Sequence, residues 1–266
     1  MTGPTYLQFH LAFLIPAVML MIATAFVSRA QMSTAVRPLG VGRRYWTGVA
    51  IITVIALVYT TPWDNYLIAE GVWWYGDGTT LGRIGYAPIG EYLFILVQPW
   101  LTALWLSHLS IPTEWPTVAR PIQSRVAAAA LAAGIGVGGW ALLGSDATFY
   151  FGAITAWAAP VLALQWAVGA PQLWARRRLV ALGVLVPTLY LCVADRIAIE
   201  YGIWILSERY TTGLTVAGLP LEEALFFLVT NLFVVQGVVL YRWMLDWRAA
   251  GHDADRPTPD GVAADA

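Results

Sequence analysis

The chain has 266 residues, a formal net charge of −1, 59% apolar residues and only 12% charged ones. That balance lies far from a soluble domain and predicts an all-α polytopic membrane protein. The arginine run 176–178 most simply marks a cytoplasmic helix start, so no nucleic-acid partner is expected, and a single cysteine, Cys192, excludes an internal disulfide and any cysteine-based metal cluster.

Seven segments are long and apolar enough to cross a hydrocarbon core of about 30 Å. They fall near residues 6–27, 45–63, 90–108, 124–144, 148–168, 178–196 and 221–245. Ala23-Thr24-Ala25 in the first segment imitates a signal-cleavage site, but no positive charge precedes it and the basic residues follow it, so a retained helix is expected. The second ends on Pro62-Trp63-Asp64. The connection beyond it passes Gly71, Trp73, Thr79 and Thr80 and closes on Pro88-Ile89-Gly90-Glu91-Tyr92-Leu93-Phe94, where the third begins.

The fourth segment is rich in Ala and Gly from Ala127 to Gly139. Its glycines imitate a dinucleotide fingerprint, yet no strand precedes them; Gly134 and Gly138 read instead as a small-residue face for close helix packing. The fifth carries Pro160 as the first carries Pro16, and the sixth reaches Asp195. The next connection passes Gly202, Trp204, Thr211 and Thr212 and closes on Pro220-Leu221-Glu222-Glu223-Ala224-Leu225-Phe226. From Ala249 the chain turns polar and reads as a short disordered tail.

All fifteen basic residues are Arg. Those at 29, 37, 43, 44, 120, 125, 176, 177, 178, 242, 248 and 256 fall in alternate connections and the tail, leaving Arg83, Arg196 and Arg209 on the other face. The positive-inside rule then predicts a multi-pass protein of the cell membrane, N-terminus outside and tail in the cytoplasm.

The two acidic phrases align with a one-residue insertion, pairing Asp64 with Asp195, Glu91 with Glu223 and Thr79 with Thr211, as an internal duplication would. The division expected is a first three-helix repeat at 1–110, a linking helix at 111–146, a second repeat at 147–248 and a tail at 249–266. The linking helix reverses the chain once more, so the repeats run parallel and both acidic mouths open on the non-cytoplasmic side. Asp64, Glu91, Asp195 and Glu223 can then converge, with Glu222 as a fifth carboxylate.

The plain reading is that Glu91 and Glu223 are good helix starts after Pro88 and Pro220, and that the aspartates are interfacial caps. Acids near bilayer depth are costly, and repeating them at matched positions favours a site. Aromatic belts account for most of the fourteen Trp, but Trp63, Trp73, Trp74, Trp204, Phe94, Phe226 and Phe227 cluster with the acids, where aromatic faces stabilise a carbocation. His10, His108 and His252 match no metal spacing, and no metal site is expected.

Thr61-Pro62-Trp63-Asp64-Asn65-Tyr66 and Pro220-Leu221-Glu222-Glu223-Ala224-Leu225-Phe226-Phe227 resemble the membrane-integral lycopene cyclases of archaea, fungi and some Gram-positive bacteria, whose two homologous three-helix domains occur separately or fused. This chain looks like the fused type. The Pro-x-Glu-Glu-x-x-Phe-Phe signature is complete in the second copy; the first has Gly90 for one Glu and Ile95 for the second Phe.

The resemblance implies conversion of the linear ends of lycopene to β-rings, giving β-carotene through γ-carotene, both substrates dissolved in the bilayer. A terminal double bond is protonated, the tertiary cation is attacked by a neighbouring double bond, and a ring proton leaves. The change is a redox-neutral isomerisation in carotenoid biosynthesis, and the resemblance implies no flavin or other cofactor. Such chemistry needs one carboxyl kept protonated by dry surroundings and another ionised. Glu223 is expected as the principal acid, with Asp195, Glu91 and Asp64 orienting it or accepting the final proton and Glu222 acting on its neighbour. Trp63, Trp73, Trp204, Phe94, Phe226 and Phe227 are expected to bind substrate.

Two other functions stay open, as does contact with other carotenoid enzymes. A carotenoid end-group hydratase would capture the same cation with water and add its mass. A transporter with parallel repeats would carry its acids at the bilayer centre rather than at helix mouths. A retinal-binding photoreceptor is excluded, because the chain has no lysine for a Schiff base.

Overall fold

The computed structural model describes residues 3–31, 42–109, 115 and 120–254. The chain enters through α1 (Tyr6–Phe9), a π-helical turn (His10–Leu14) and α2 (Ile15–Gln31). It continues through α3 (Arg43–Glu70), α4 (Ile89–His108), α5 (Pro121–Leu142), α6 (Phe149–Ala175), α7 (Arg177–Glu200) and α8 (Leu221–Ala254). Seven of these stretches are long and apolar enough to span a bilayer, with α1, the π turn and α2 making one of them. The protein is an all-α polytopic membrane protein. Its interior prolines, Pro62, Pro99, Pro160, Pro171 and Pro187, are tolerated because neighbouring helices shield the backbone groups they free.

Helices α4 and α8 cross at the centre. Each touches the other's hairpin partner, α3 against α8 and α7 against α4, while α2 lies on α4 and α6 on α8. A buried polar knot pins this crossing. Asn231 accepts from Gln98 at 2.7 Å and from Thr102 at 2.5 Å, and donates to Thr188 at 3.1 Å, so α4, α7 and α8 share one set of interhelical hydrogen bonds. Helix α5 packs outside the crossing along α6.

Three expectations shift. Gly134 and Gly138 face open space; the contact with α6 is made by Gly136, under Ala159, and by Gly139, against Gly152 and Thr155, one helix face around from the stripe read in the sequence. The aspartates do not end their helices, since α3 and α7 run on to Glu70 and Glu200, placing Asp64 and Asp195 about 8 Å inside at 1.5 Å per residue. Gly71 closes α3 in the left-handed conformation and Gly202, also at positive φ, follows the end of α7, which is why the helices stop there and not at the acids. Finally, α8 continues to Ala254 through the favourable helix formers around Ala249, while residues 255–266 of the expected tail lie outside the described residues, as does Arg37.

The connections after α3 and α7 are not plain loops. β1 (Trp73–Tyr75) pairs antiparallel with β4 (Trp204–Leu206), and two tight hairpins follow, β2 (Arg83–Ile84) with β3 (Ala87–Pro88) and β5 (Thr215–Val216) with β6 (Leu219–Pro220). Trp73 faces Leu206, Trp74 faces Ile205 and Tyr75 faces Trp204. The ribbon therefore maps onto itself when the two copies are exchanged, with Trp74–Ile205 at the centre. Its flanking bonds obey the same rule: Gly76 N–H donates to Ile203 and Ser207 N–H to Val72. One sequence pairing does not survive. Thr79 N–H bonds Gly76 as Tyr210 N–H bonds Ser207, so Thr79 matches Tyr210 rather than Thr211, and the inserted residue lies after that point.

Candidate active site

The ribbon roofs a chamber between the helix ends. Asp64 descends from α3, Glu91 from the first turn of α4, Asp195 from α7 and Glu223 from the first turn of α8, and all four line one cavity. Asp64, Asp195 and Glu223 are buried, Asp195 to 2% exposure. Their partners match only in part: Glu91 accepts from the Tyr6 hydroxyl as Glu223 does from Tyr150, and the rest differ. Glu91 accepts from the Tyr75 hydroxyl at 2.5 Å, and Trp73 Nε1 donates to the same hydroxyl at 3.0 Å. Glu223 accepts from the Tyr150 hydroxyl at 2.9 Å, while Trp204 Nε1 donates straight to Asp195 at 2.9 Å. Tyr75 sits in the ribbon above the helices. Burial, and then the charge of Glu91, push its phenol well above the ordinary tyrosine value, which keeps it a proton-bearing donor to that carboxyl.

Six of the seven aromatic residues clustered with the acids in the sequence lie at the chamber. Trp63, Trp73, Trp204, Phe94, Phe226 and Phe227 line the same cavity. Trp63 stacks on Phe226 with ring centres 5.9 Å apart, and Phe94 meets Phe227 edge-on at 6.0 Å. Strand alternation turns Trp73 and Tyr75 inward and leaves Trp74 outward and 46% exposed, so Trp74 is no part of the chamber.

Glu222 does not join the other acids. Its side chain is fully buried, but Oε1 accepts from the Thr212 backbone N–H and hydroxyl, both at 2.7 Å, tying α8 to the β5–β6 segment. The fifth carboxylate of the sequence reading thus anchors a loop through Oε1 and does not line the chamber. In the first copy the matching residue is Gly90, where any side chain would overlap the Tyr6 ring.

Tyr6, Phe9, Tyr150, Leu191 and Leu206 also line the chamber, as residues the sequence reading passed over. Tyr6 and Tyr150 are matched: each stands ten residues before its copy's interior proline, Pro16 or Pro160, and each backbone N–H reaches the connection above, Tyr6 to Thr79 and Tyr150 to Tyr210. That spacing was the available signal. Among the described residues no three His, Cys, Asp or Glu side chains are grouped as metal ligands.

A helical membrane bundle with four carboxyl groups around one aromatic-walled chamber offers proton donors and acceptors beside apolar faces, the equipment of acid–base chemistry on an apolar molecule. The comparisons with known proteins agree. The family model described as lycopene cyclase matches residues 5–109 and 147–244. A lycopene beta-cyclase of Halobacterium salinarum is 59% identical over 204 residues, covering 76% of this chain and 85% of that protein. Bifunctional lycopene cyclase/phytoene synthases of Aspergillus oryzae and Phycomyces blakesleeanus are 34% and 30% identical, over 73% and 87% of this chain but only 34% and 38% of their own lengths. No solved structure matches the chain. The chain belongs to the lycopene cyclase family.

Proposed function

We propose that the protein is a lycopene beta-cyclase that closes both linear ends of lycopene, through γ-carotene, to β-carotene. The observation that carries this reading is the convergence of Asp64, Glu91, Asp195 and Glu223 on one cavity walled by Trp63, Trp73, Trp204, Phe94, Phe226 and Phe227. Cyclisation needs a proton delivered to a terminal double bond, π faces around the tertiary cation, and a base for the ring proton; no electrons are exchanged. Glu223 delivers the proton, oriented by Tyr150. Asp195, fixed by Trp204, is placed to receive the ring proton and return it for the next turnover. Glu91 and Asp64 complete the polar end of the chamber and orient the reacting group.

Because both copies contribute to a single cavity, one composite site handles the two ends of lycopene in turn. The division into a first repeat at 1–110, a linking helix at 111–146 and a second repeat at 147–248 is supported by the two separately matched segments and by the self-matching ribbon. The protein resides in the cell membrane with its chamber toward the outside, a reading supported by Arg43, Arg44, Arg120, Arg177 and Arg248 lying at the far helix ends.

Expression in a lycopene-accumulating bacterium tests the function. The expected product is β-carotene, isomeric with lycopene. A product heavier by one water would make the protein a hydratase, and unchanged lycopene would remove the catalytic reading altogether.

A further inference from the structure

The acid chamber is small, about 50 Å³, well under the roughly 300–1,000 Å³ of ligand pockets. It has a neighbour. A second cavity of about 220 Å³ runs between α3, α4, α6 and α8, lined by Ile52, Ala56, Leu164, Phe233 and Gly237 among others, and it shares Phe94 and Phe226 with the chamber. Its lining is almost wholly apolar. Ile55 and Leu164, at its rim, are 61% and 66% exposed on the lipid-facing side of the bundle.

The duplication makes a counterpart groove possible on the opposite side, between α7, α8, α4 and α2. The framework there is conserved between the copies: Tyr59 donates to the Trp157 carbonyl on one side, and Tyr190 to the matching Phe13 carbonyl on the other. The filling is not. Fourteen residues after the matched glutamates, α8 has Gly237 and α4 has Trp105, whose indole crosses to donate to the Leu182 carbonyl at 2.9 Å. Twelve residues before the matched aspartates stand Ile52 and Gly183, and Gly183 is packed against Leu106 and Val235. Trp105 and close packing at Gly183 thus occupy the side that Gly237 leaves open.

Resting on the lycopene reading, we propose that this groove is the subsite for the unreacted length of the polyene. Substrate reaches it sideways from the bilayer between α3 and α6, and its end group passes Phe94 and Phe226 to the carboxyls. The occupant that fits is a long, uncharged hydrocarbon, which lies in so apolar a trough while presenting one reactive end to the acid chamber roofed by the β1–β4 ribbon. With one groove open, the half-cyclised product must withdraw, turn and return with its other end.

The test uses the full chain in lipid nanodiscs. Gly237→Trp imports the first-copy residue into the groove, and Ala56→Phe fills it from α3; Val137→Trp, on the lipid-facing side of α5 and 72% exposed, is the control. Both filled variants are expected to lose lycopene turnover at least tenfold, mainly through KM, while Val137→Trp turns over as wild type does. A second measurement is independent of how those variants fold: in a Cys192→Ser background, lycopene should slow maleimide labelling of Leu164→Cys and leave Val137→Cys unaffected. Wild-type kinetics in a folded Gly237→Trp or Ala56→Phe, or equal labelling with and without lycopene, would overturn the groove. Absence of any conversion by the wild type would instead defeat the functional reading itself.

Discussion

Glu223 and Glu91 occupy matched positions, each bonded by its copy's matched tyrosine, Tyr150 or Tyr6, in otherwise different surroundings. Glu223 is held by Tyr150 alone among the hydroxyls, next to an aspartate already engaged by Trp204. Glu91 is held by Tyr75, whose hydroxyl also takes the Trp73 indole; the matching residue in the second copy is Leu206, which has no hydroxyl to offer. A proton donor must give up its proton to carbon, so the less encumbered Glu223 suits that part. Glu223→Gln should abolish both γ- and β-carotene in pigment extracts, a loss of about a hundredfold or more, with the protein still found in the membrane. If, as proposed, a single chamber serves both ends, Glu91→Gln should also remove all cyclic products; accumulation of γ-carotene would show instead that each copy handles one end. Glu222 calls for a different experiment. Glu222→Ala removes the acceptor of two part-buried bonds to Thr212, so the thermal midpoint should drop by an amount corresponding to about 1–3 kcal/mol, while turnover per folded molecule stays near wild type.

At the scale of elements, the acids and their aromatic company were legible in the sequence because few side chains are so expensive in a membrane segment. Pairing Asp64 with Asp195 and Glu91 with Glu223 was enough to bring four carboxyls to one end of the bundle. Their depth was not legible, since hydropathy falls at the aspartates while the helices end only where Gly71 and Gly202 adopt positive φ. The ribbon was not legible because strands of two or three residues carry no period, and Glu222 was grouped with the other acids because it adjoins Glu223 in sequence, whereas adjacent residues in a helix point to different sides. The α5 stripe offers a clean check of the same kind. Gly139→Leu should force α5 from α6 and lower the thermal midpoint, by about 1–3 kcal/mol in stability, whereas Gly138→Leu should remain close to wild type. Equal effects at the two positions would mean that α5 is rotated from the packing described.

For the whole molecule, the proposed arrangement is two parallel three-helix units, a reading supported by the β1–β4 ribbon, which maps onto itself about Trp74 and Ile205. With the proposed orientation, a reporter fused after Trp247 should be active only from the cytoplasm and one inserted between Gly76 and Thr80 only from outside; the reverse pattern would invert the protein in the membrane. If the two units are self-sufficient folds, co-expressed fragments divided between Leu109 and Arg120 should reassemble and restore β-carotene, whereas neither fragment alone should, because each supplies only two of the four acids.

The self-matching ribbon has a bearing on how such an enzyme could change over time. A strand pair that exchanges onto itself is what two identical chains would form across a symmetric dimer contact, and in that state every substitution would appear on both sides at once. Duplication into two distinct copies, separate or fused, lifts that constraint. Only after it could one half acquire Trp105 while the other kept Gly237, or one carry Tyr75 where the other has Leu206. The roof preserves the geometry of equals, and beneath it the two halves have become free to divide the labour.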